Sequence, residues 1–452
     1  KFITFKHIEG NENSLLSDQI LDIKQMKDGT LWICTNMGGV SILNLRENTF
    51  ISPEKITFSN ITVTNDNHGL SGPNARSIIQ DSFGNIWIGN YRGGVDFISY
   101  AQPLFNTIAY TIEKQGKINN KQVWGLWADN HQIWLGGEGE LGIYEKGKKT
   151  KNFSLHECRL HPQTHINVIY QDKQERLWLG TYKNGILLYT PKDGRITRIG
   201  DKGSEFLDIC SFSEDINGKI WIGTQTGIYS YFNNQLSYEK ELNAQLPDIM
   251  VHGIIRDKNG KLWVGTFGKG VCVFDEDDKK LYNFTTDHSF PSNAVNYMME
   301  DSRKRILVAT REGIIIFKDV SQPNVFVSFG AKEGLENTQV RAIQEDHDGY
   351  IWISTNGGIS RLDEKNKRFY NYNYHDGIPM GDFMDGSTCI TPDGTLFFGS
   401  QNGACYFNPR ELSSPREVSP VTITQFFIYN KPVSYTHLTA ADEARSVDLG
   451  GR

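Results

Sequence analysis

The sequence predicts an all-β chain, a β-propeller of four-stranded blades: one complete seven-bladed ring, preceded by the last blades of another and followed by the start of a β-sandwich. Three observations carry this. One motif recurs along the chain: DKNGKLWVGTFGKGV from Asp257 to Val271 is repeated as KDGTLWICTNMGGV, DSFGNIWIGNYRGGV, DKQERLWLGTYKNGI, DINGKIWIGTQTGIY and DHDGYIWISTNGGIS. Its aromatic anchor recurs at Trp32, Trp87, Trp134, Trp178, Trp221, Trp263, Trp352 and Phe397, with Leu307 in a weaker copy. That spacing, about 42 to 55 residues, belongs to repeat architectures. Within one copy, VHGIIR, KLWVGT, VCVFD and YNFTT read as four strands divided by Asn-Gly and Gly-rich turns, the sequence form of a propeller blade.

Each motif residue has a structural reason. Asp and Asn-Gly favour tight turns, because Asx side chains bond local backbone and Gly takes positive φ without steric cost. The tryptophan is large enough to fill the wedge between blades. Gly265 beside it lets the next sheet approach closely. These residues build the fold and are not the chemistry.

The interval is most regular from Trp134 to Phe397, so residues 101–412 are expected to form the seven-bladed ring. Residues 1–100 read as the last blades of a first, truncated propeller with exposed edges, Phe2 to Phe5 looking like an outer strand. YAQPLFNTIAYTIEKQGKINN reads as a long polar link between the two. Residues 413–434, with the alternating VTITQFFIYN, read as the start of a sandwich, and 435–452 as a non-native or artefactual tail. With Lys1 and no signal peptide at its start, the chain reads as a fragment of something longer.

Composition narrows the classes. Charged residues make up 22% of 452 and the net charge is −6, so no basic field invites nucleic acid. Apolar runs are too short for a membrane span within this piece. Cys34, Cys158, Cys210, Cys272, Cys389 and Cys405 show no metal-ligand spacing and no disulfide framework. His156, His161 and His165 cluster in a loop without a helical zinc pattern and are expected at the surface. The DHDG of Asp346 to Gly349 lacks the later ligands of a calcium loop and reads as a turn. Asp275, Glu276, Asp277 and Asp278 read as a solvated acidic edge. No cofactor, metal or catalytic set is expected.

The repeated D-x-x-G-x-x-W-[IVL]-G-T-x-x-G-G-[VLI], the double array and the sandwich beginning at VTITQFFIYN resemble the sensor region of Bacteroidetes hybrid two-component regulators, over about Lys1 to Val433. The resemblance implies two seven-bladed propellers and a Y_Y_Y sandwich in the periplasm. A membrane-anchored parent with histidine kinase, receiver and DNA-binding domains is implied as well. It further implies an oligosaccharide ligand, a homodimer, and control of polysaccharide-utilisation genes. Kinase, receiver and DNA-binding segments are absent from this sequence.

A ligand would sit where residues vary on a constant scaffold. The loops between second and third strands and the starts of the first strands are expected to meet on one face of the disc. The loops carry Glu138, Tyr182, Gln225, Phe267, Arg311, Asn356 and Gln401; the first strands carry Trp124, Asn167, Cys210, His252, Asn296, Arg341 and Gly386. Trp124, Trp127, Tyr182 and Phe267 can stack on a pyranose face, and Asn167, Asn296, Asn356, Arg311 and Arg341 can bond hydroxyl or carboxylate groups. The competing reading is a propeller lyase or glycoside hydrolase, with Glu138, His252 or Asp208 as acid–base groups.

Overall fold

The structure is a computed structural model. It describes residues 4–44, 56–63, 69–98, 104–154 and 164–413, apart from short interruptions at 83, 109–110, 115–116, 121, 146–147, 193, 201–202, 204–206, 247–249, 276–279, 289, 320 and 323–324; beyond these it describes 426–428 and 431–433.

The fourth blade shows how the motif works. Val251–Arg256, Leu262–Thr266, Val271–Asp275 and Lys280–Phe284 form one antiparallel sheet in chain order. At its turn, Asp257 Oδ1 accepts the backbone N–H groups of Asn259 (2.8 Å) and Lys261 (2.9 Å), while Oδ2 accepts the indole N–H of Trp263 (2.7 Å). One buried carboxylate thereby closes the turn and fixes the anchor's rotamer. Asp172 does the same for Trp178, Asp215 for Trp221 and Asp346 for Trp352. In the weak copy Leu307 has no donor, and Arg305 replaces it: Nε donates to Asp301 Oδ2 (2.6 Å) and the terminal nitrogens to Glu364 (2.9 and 2.8 Å). The motif threonine bonds the next turn, as Thr266 Oγ1 does to the Gly270 carbonyl (3.0 Å).

The anchored tryptophan then faces the next sheet. Trp263 and Val273 are fully buried with Val295, Met298, Ile306 and Phe317 of the following blade. A Cβ added at Gly265 would lie 2.5 Å from Met298 Sδ and 2.6 Å from Val295 Cγ1, so the close approach expected there is real.

Seven such sheets close a ring. Their innermost strands begin at Gly125, Ile166, Ile209, Val251, Val295, Val340 and Phe383, each packing on the next, and the last returns to the first. Closure uses an outer strand from far upstream. Asn106–Ile108 pairs with Gly403–Phe407 as the fourth strand of the seventh sheet, and Phe105 is buried against Tyr372 and Phe407. The polar link expected here is corrected accordingly: Asn106–Ile108 is a strand of three residues, too short to show an alternation in the sequence, and downstream of it Thr111–Lys114 forms a hairpin with Lys117–Asn120.

Upstream, Ile20–Gln25, Thr30–Thr35, Gly39–Asn44 and Ser59–Ile61 form a four-stranded sheet, and Ala75–Gln80, Ile86–Asn90 and Gly94–Ile98 a three-stranded one. The latter exposes Ile79, Trp87 (40%) and Phe97 on the face that in the ring is covered by the next blade. Residues 4–8 form no strand; Phe5 instead packs edge-on against Phe58 at 5.5 Å. Residues 410–452 form a separate unit, in which Phe426–Ile428 pairs with Lys431–Val433; the rest of the expected sandwich and the tail lie outside the described residues. No helix among the described residues is long and apolar enough to cross a membrane.

Two corrections concern charge and histidine. Asp275 is buried and paired with Lys261 at 3.1 Å, because it ends a strand before the acidic turn begins; residues 276–278 lie outside the described set. His165 is half-buried at a strand start and not a surface residue, while His156 and His161 lie outside the described residues.

Removing the anchor should be costly. Trp263→Ala is expected to lose about 3–5 kcal/mol in denaturant titrations by opening a core cavity, whereas Trp87→Ala, on the open face, should stay within about 1 kcal/mol. Asp257→Ala leaves an indole N–H and two backbone N–H groups without their acceptor and should cost about 1–3 kcal/mol. Equal stability of the Trp263 and Trp87 variants would contradict the wedge role.

Candidate ligand-binding site

Regular strands would point alternate side chains into the layers between blades. The innermost strands of six of the seven blades break this rule at one place each, while that of the first blade pairs in unbroken register. In blades two to six the pairing register jumps from Ile166 to Val168, Ile209 to Ser211, Val251 to Gly253, Val295 to Tyr297 and Val340 to Ala342. The bulged residues are Asn167, Cys210, His252, Asn296 and Arg341, five of the positions that vary in the sequence. A bulge re-aims the side chain it inserts. In blades two, three, four and seven the loop between strands two and three is clasped to the strand start beside the bulge: Tyr182 N donates to the His165 carbonyl (2.9 Å), Gln225 N to Asp208 (3.1 Å), Phe267 N to Met250 (3.1 Å) and Gln401 N to Asp382 (3.0 Å). Loops and bulges therefore share one face.

They surround an axial cavity of about 580 Å³, lined from blades one to five and seven. One wall is aromatic. Trp124 stacks on His165 (5.3 Å between rings) and His165 on Tyr182 (4.7 Å, 11° between planes), leaving Tyr182 38% exposed beneath Lys183 Nζ. The lining from the third and fourth blades is more polar. His252 lies 4.9 Å from Phe267, over which Arg311 sits, and its Nε2 is 3.4 Å from Gln225 Nε2.

The seventh blade departs most. Between the pairs Phe383–Ser400 and Thr388–Phe398, residues 384–387 stand against Gly399 alone. This wide bulge crosses toward the fifth blade: a Cβ on Gly386, which has φ +66°, would lie 2.9 Å from the Tyr297 ring. A side chain there would clash and strain the backbone. The excursion carries Asp385 inward, where Arg341 Nη1 donates to it at 3.0 Å and Arg341 Nε to Asn356 Oδ1 at 2.6 Å. Burial pushes the Asp385 carboxyl above its ordinary value, opposed by Arg341, His252 and Arg311. Burial likewise raises Asp208, opposed by the Lys183 backbone N–H, and pushes the Cys210 thiol up to about 12, so that thiol stays protonated.

Of the sequence-derived candidates, Trp124, Asn167, Tyr182, His252 and Asn296 line the cavity. Arg341, Asn356, Phe267 and Arg311 stand behind or above that lining through the contacts given. Asn167 and Asn296 also tie neighbouring blades together, since their Nδ2 groups donate to the Ile209 (3.0 Å) and Val340 (2.7 Å) carbonyls of the next blade, as Ser387 Oγ does to Val123 (3.1 Å). Trp127 takes the opposite side of its strand and packs edge-on to Trp134 in the layer between blades. Glu138 is exposed, and its backbone bridges to His165. Sequence reasoning missed His165 and Asp385. His165 could have been found by the loop pairing of Tyr182; Asp385 was hidden because the long bulge shifts it one place from Gly386, the aligned position.

The fold and funnel define a repeat β-propeller with a ligand-sized axial cavity, and its repeats are of the two-component regulator propeller type. Residues 69–92, 161–183, 245–268 and 334–357 match the family described as two component regulator propeller. The chain is 34% identical to the extracellular domain of hybrid two component system BT3049 from B. thetaiotaomicron, with a TM-score of 0.72 over 92% of this chain and 56% of that one. The extracellular domain of BT4673 from the same organism shares the fold, at 20% identity and a TM-score of 0.57 over 93% of this chain and 56% of that one. Histidine kinase P4 of Formosa agariphila is 25% identical over 328 residues, 59% of this chain and 24% of its own length. The chain thus spans about half of the similar ectodomain structures and a quarter of the kinase.

The raised Asp385 carboxyl makes a signed prediction. Its proton is held more tightly in the folded state, so its contribution to stability is fully present below the ordinary 3.8 and lost as pH rises through the raised value. Asp385→Asn should flatten the part of the melting-temperature profile that lies above the ordinary carboxylate value. Parallel profiles for variant and wild type would contradict the assignment.

Proposed function

We propose that the chain is the extracytoplasmic sensor portion of a hybrid two-component system, that it binds an oligosaccharide, and that binding biases a membrane-anchored kinase controlling polysaccharide-utilisation genes. The observation that carries this reading is the 34% identity to a hybrid-system extracellular domain over 92% of the chain. The cavity supplies the chemistry: an aromatic wall for the C–H face of a pyranose, with amide, imidazole and guanidinium groups for its hydroxyls. In this reading the domain lies in the periplasm and acts as a homodimer, ligand changing the packing between propeller, sandwich and partner. A change in affinity between the two signalling states is what ligand must supply.

A second reading has one observation in its favour. Asp385, with its raised carboxyl, shares the cavity with His252, a pairing that suits acid–base chemistry on a glycan. Calorimetry of the fragment against plant and host oligosaccharides, with product analysis, separates the two. Saturable binding of a sugar recovered intact supports sensing; cleavage makes the chain an enzyme. Trp124→Ala and Arg341→Ala should each weaken that binding about tenfold while the fold is kept. Unchanged affinity in both would move the site elsewhere.

A further inference from the structure

The axial cavity is closed laterally. Its lining comes from the innermost strands of six of the seven blades, and Arg341 of the remaining one reaches Asp385. A chain cannot lie across such a site as it would in an open groove, and can enter only along the axis. The 384–387 bulge narrows that axis by packing Gly386 on Tyr297. A volume near 580 Å³ falls within the range of about 300–1,000 Å³ that encloses a small ligand.

Charge on this bulge is compensated: Asp385 faces Arg341 at 3.0 Å, with His252 and Arg311 nearby. An anionic ligand terminus would meet Asp385, and a cationic one would meet the guanidinium groups. Uncharged donors and acceptors remain. Asn296 is 4% exposed, lines the cavity, and spends its Nδ2 on Val340, leaving Oδ1 without a hydrogen-bond partner; Ser211 Oγ is likewise unpartnered. Such buried acceptors call for an O–H or N–H donor from a ligand or ordered water.

Resting on the sensing reading above, we propose that the funnel takes the terminal residue of an uncharged oligosaccharide end-on, with Asp385, Asn296 and Gln225 reading its hydroxyls and the Trp124–His165–Tyr182 stack seating its ring. Asp385 is the specificity-determining residue, because the one wide bulge of the ring exists at its position. Chain ends, not chain interiors, are recognised.

The test is calorimetry on the whole fragment with neutral gluco-, xylo-, manno-, galacto- and arabino-oligosaccharides of about three to six residues. The matching polymers and the same oligosaccharides oxidised to a terminal uronate complete the set. Expected is saturable binding of a neutral series, stoichiometry that follows chain ends, and loss of about tenfold or more for the uronate form. Gln225→Ala should weaken the neutral sugar about tenfold at unchanged melting temperature, and Asp385→Ala should weaken it about tenfold as well, with Asp385→Asn recovering part of it. Should Asp385→Ala fail to fold, Gln225→Ala, which lies outside the turn and wedge framework, carries the test. If wild type binds no sugar in the set, the oligosaccharide reading falls and this proposal with it. If wild type binds but both alanine variants bind equally well, or polymer binds in proportion to its length, or the uronate binds more tightly, sensing stands and the end-on placement is overturned.

Discussion

The bond from a buried aspartate to the indole of a tryptophan six residues on holds this structure together. In blades two, three, four and six the same carboxylate accepts two turn N–H groups with one oxygen and the indole with the other. A charged-acceptor hydrogen bond is worth more than a neutral one, and an unmade one in a buried layer costs the desolvation of the group. In those four blades the wedge is therefore specified by one residue pair per repeat. The fifth blade shows the constraint by its exception: where the indole is lost, a buried arginine takes over the carboxylate and brings Glu364 to complete its own shell.

Because the wedge is fixed blade by blade, the innermost strands are free to differ. Six of the seven bend at a bulge, and the inserted residue lies where it touches the axis or the neighbouring blade. Asn167 and Asn296 show that this freedom serves two ends at once, since each side chain donates across to the next strand while lining the cavity. Fold and candidate site are thus separated within a single strand: the residues flanking the bulge are buried framework, and the residue in it is variable.

Much of this was legible in the sequence. The Asp–Trp spacing and the Gly turns defined blade number and strand order, and the position five before each motif aspartate located the bulge residues. The closing strand was not legible, because Asn106–Ile108 is three residues long and its partner lies at Gly403–Phe407. Pairing between such distant segments leaves no local periodicity. Trp127 misled because an aromatic near the axis in sequence can alternate into the interblade layer. Asp385 escaped because a four-residue bulge has no counterpart in the other repeats, so alignment of the motif pointed to Gly386 instead. Local rules read the scaffold; departures from the repeat mark the cavity.

Whether a repeated lock frees the innermost bulges to hold a ligand can be read by amide hydrogen exchange of the fragment with and without a saturating oligosaccharide. Slowed exchange is expected at the 384–387 bulge and in the Tyr182 and Gln225 loops, with the outer strands of all blades unchanged. Protection confined to outer strands, or to the open face of the upstream sheets around Trp87, would contradict that division between scaffold and site.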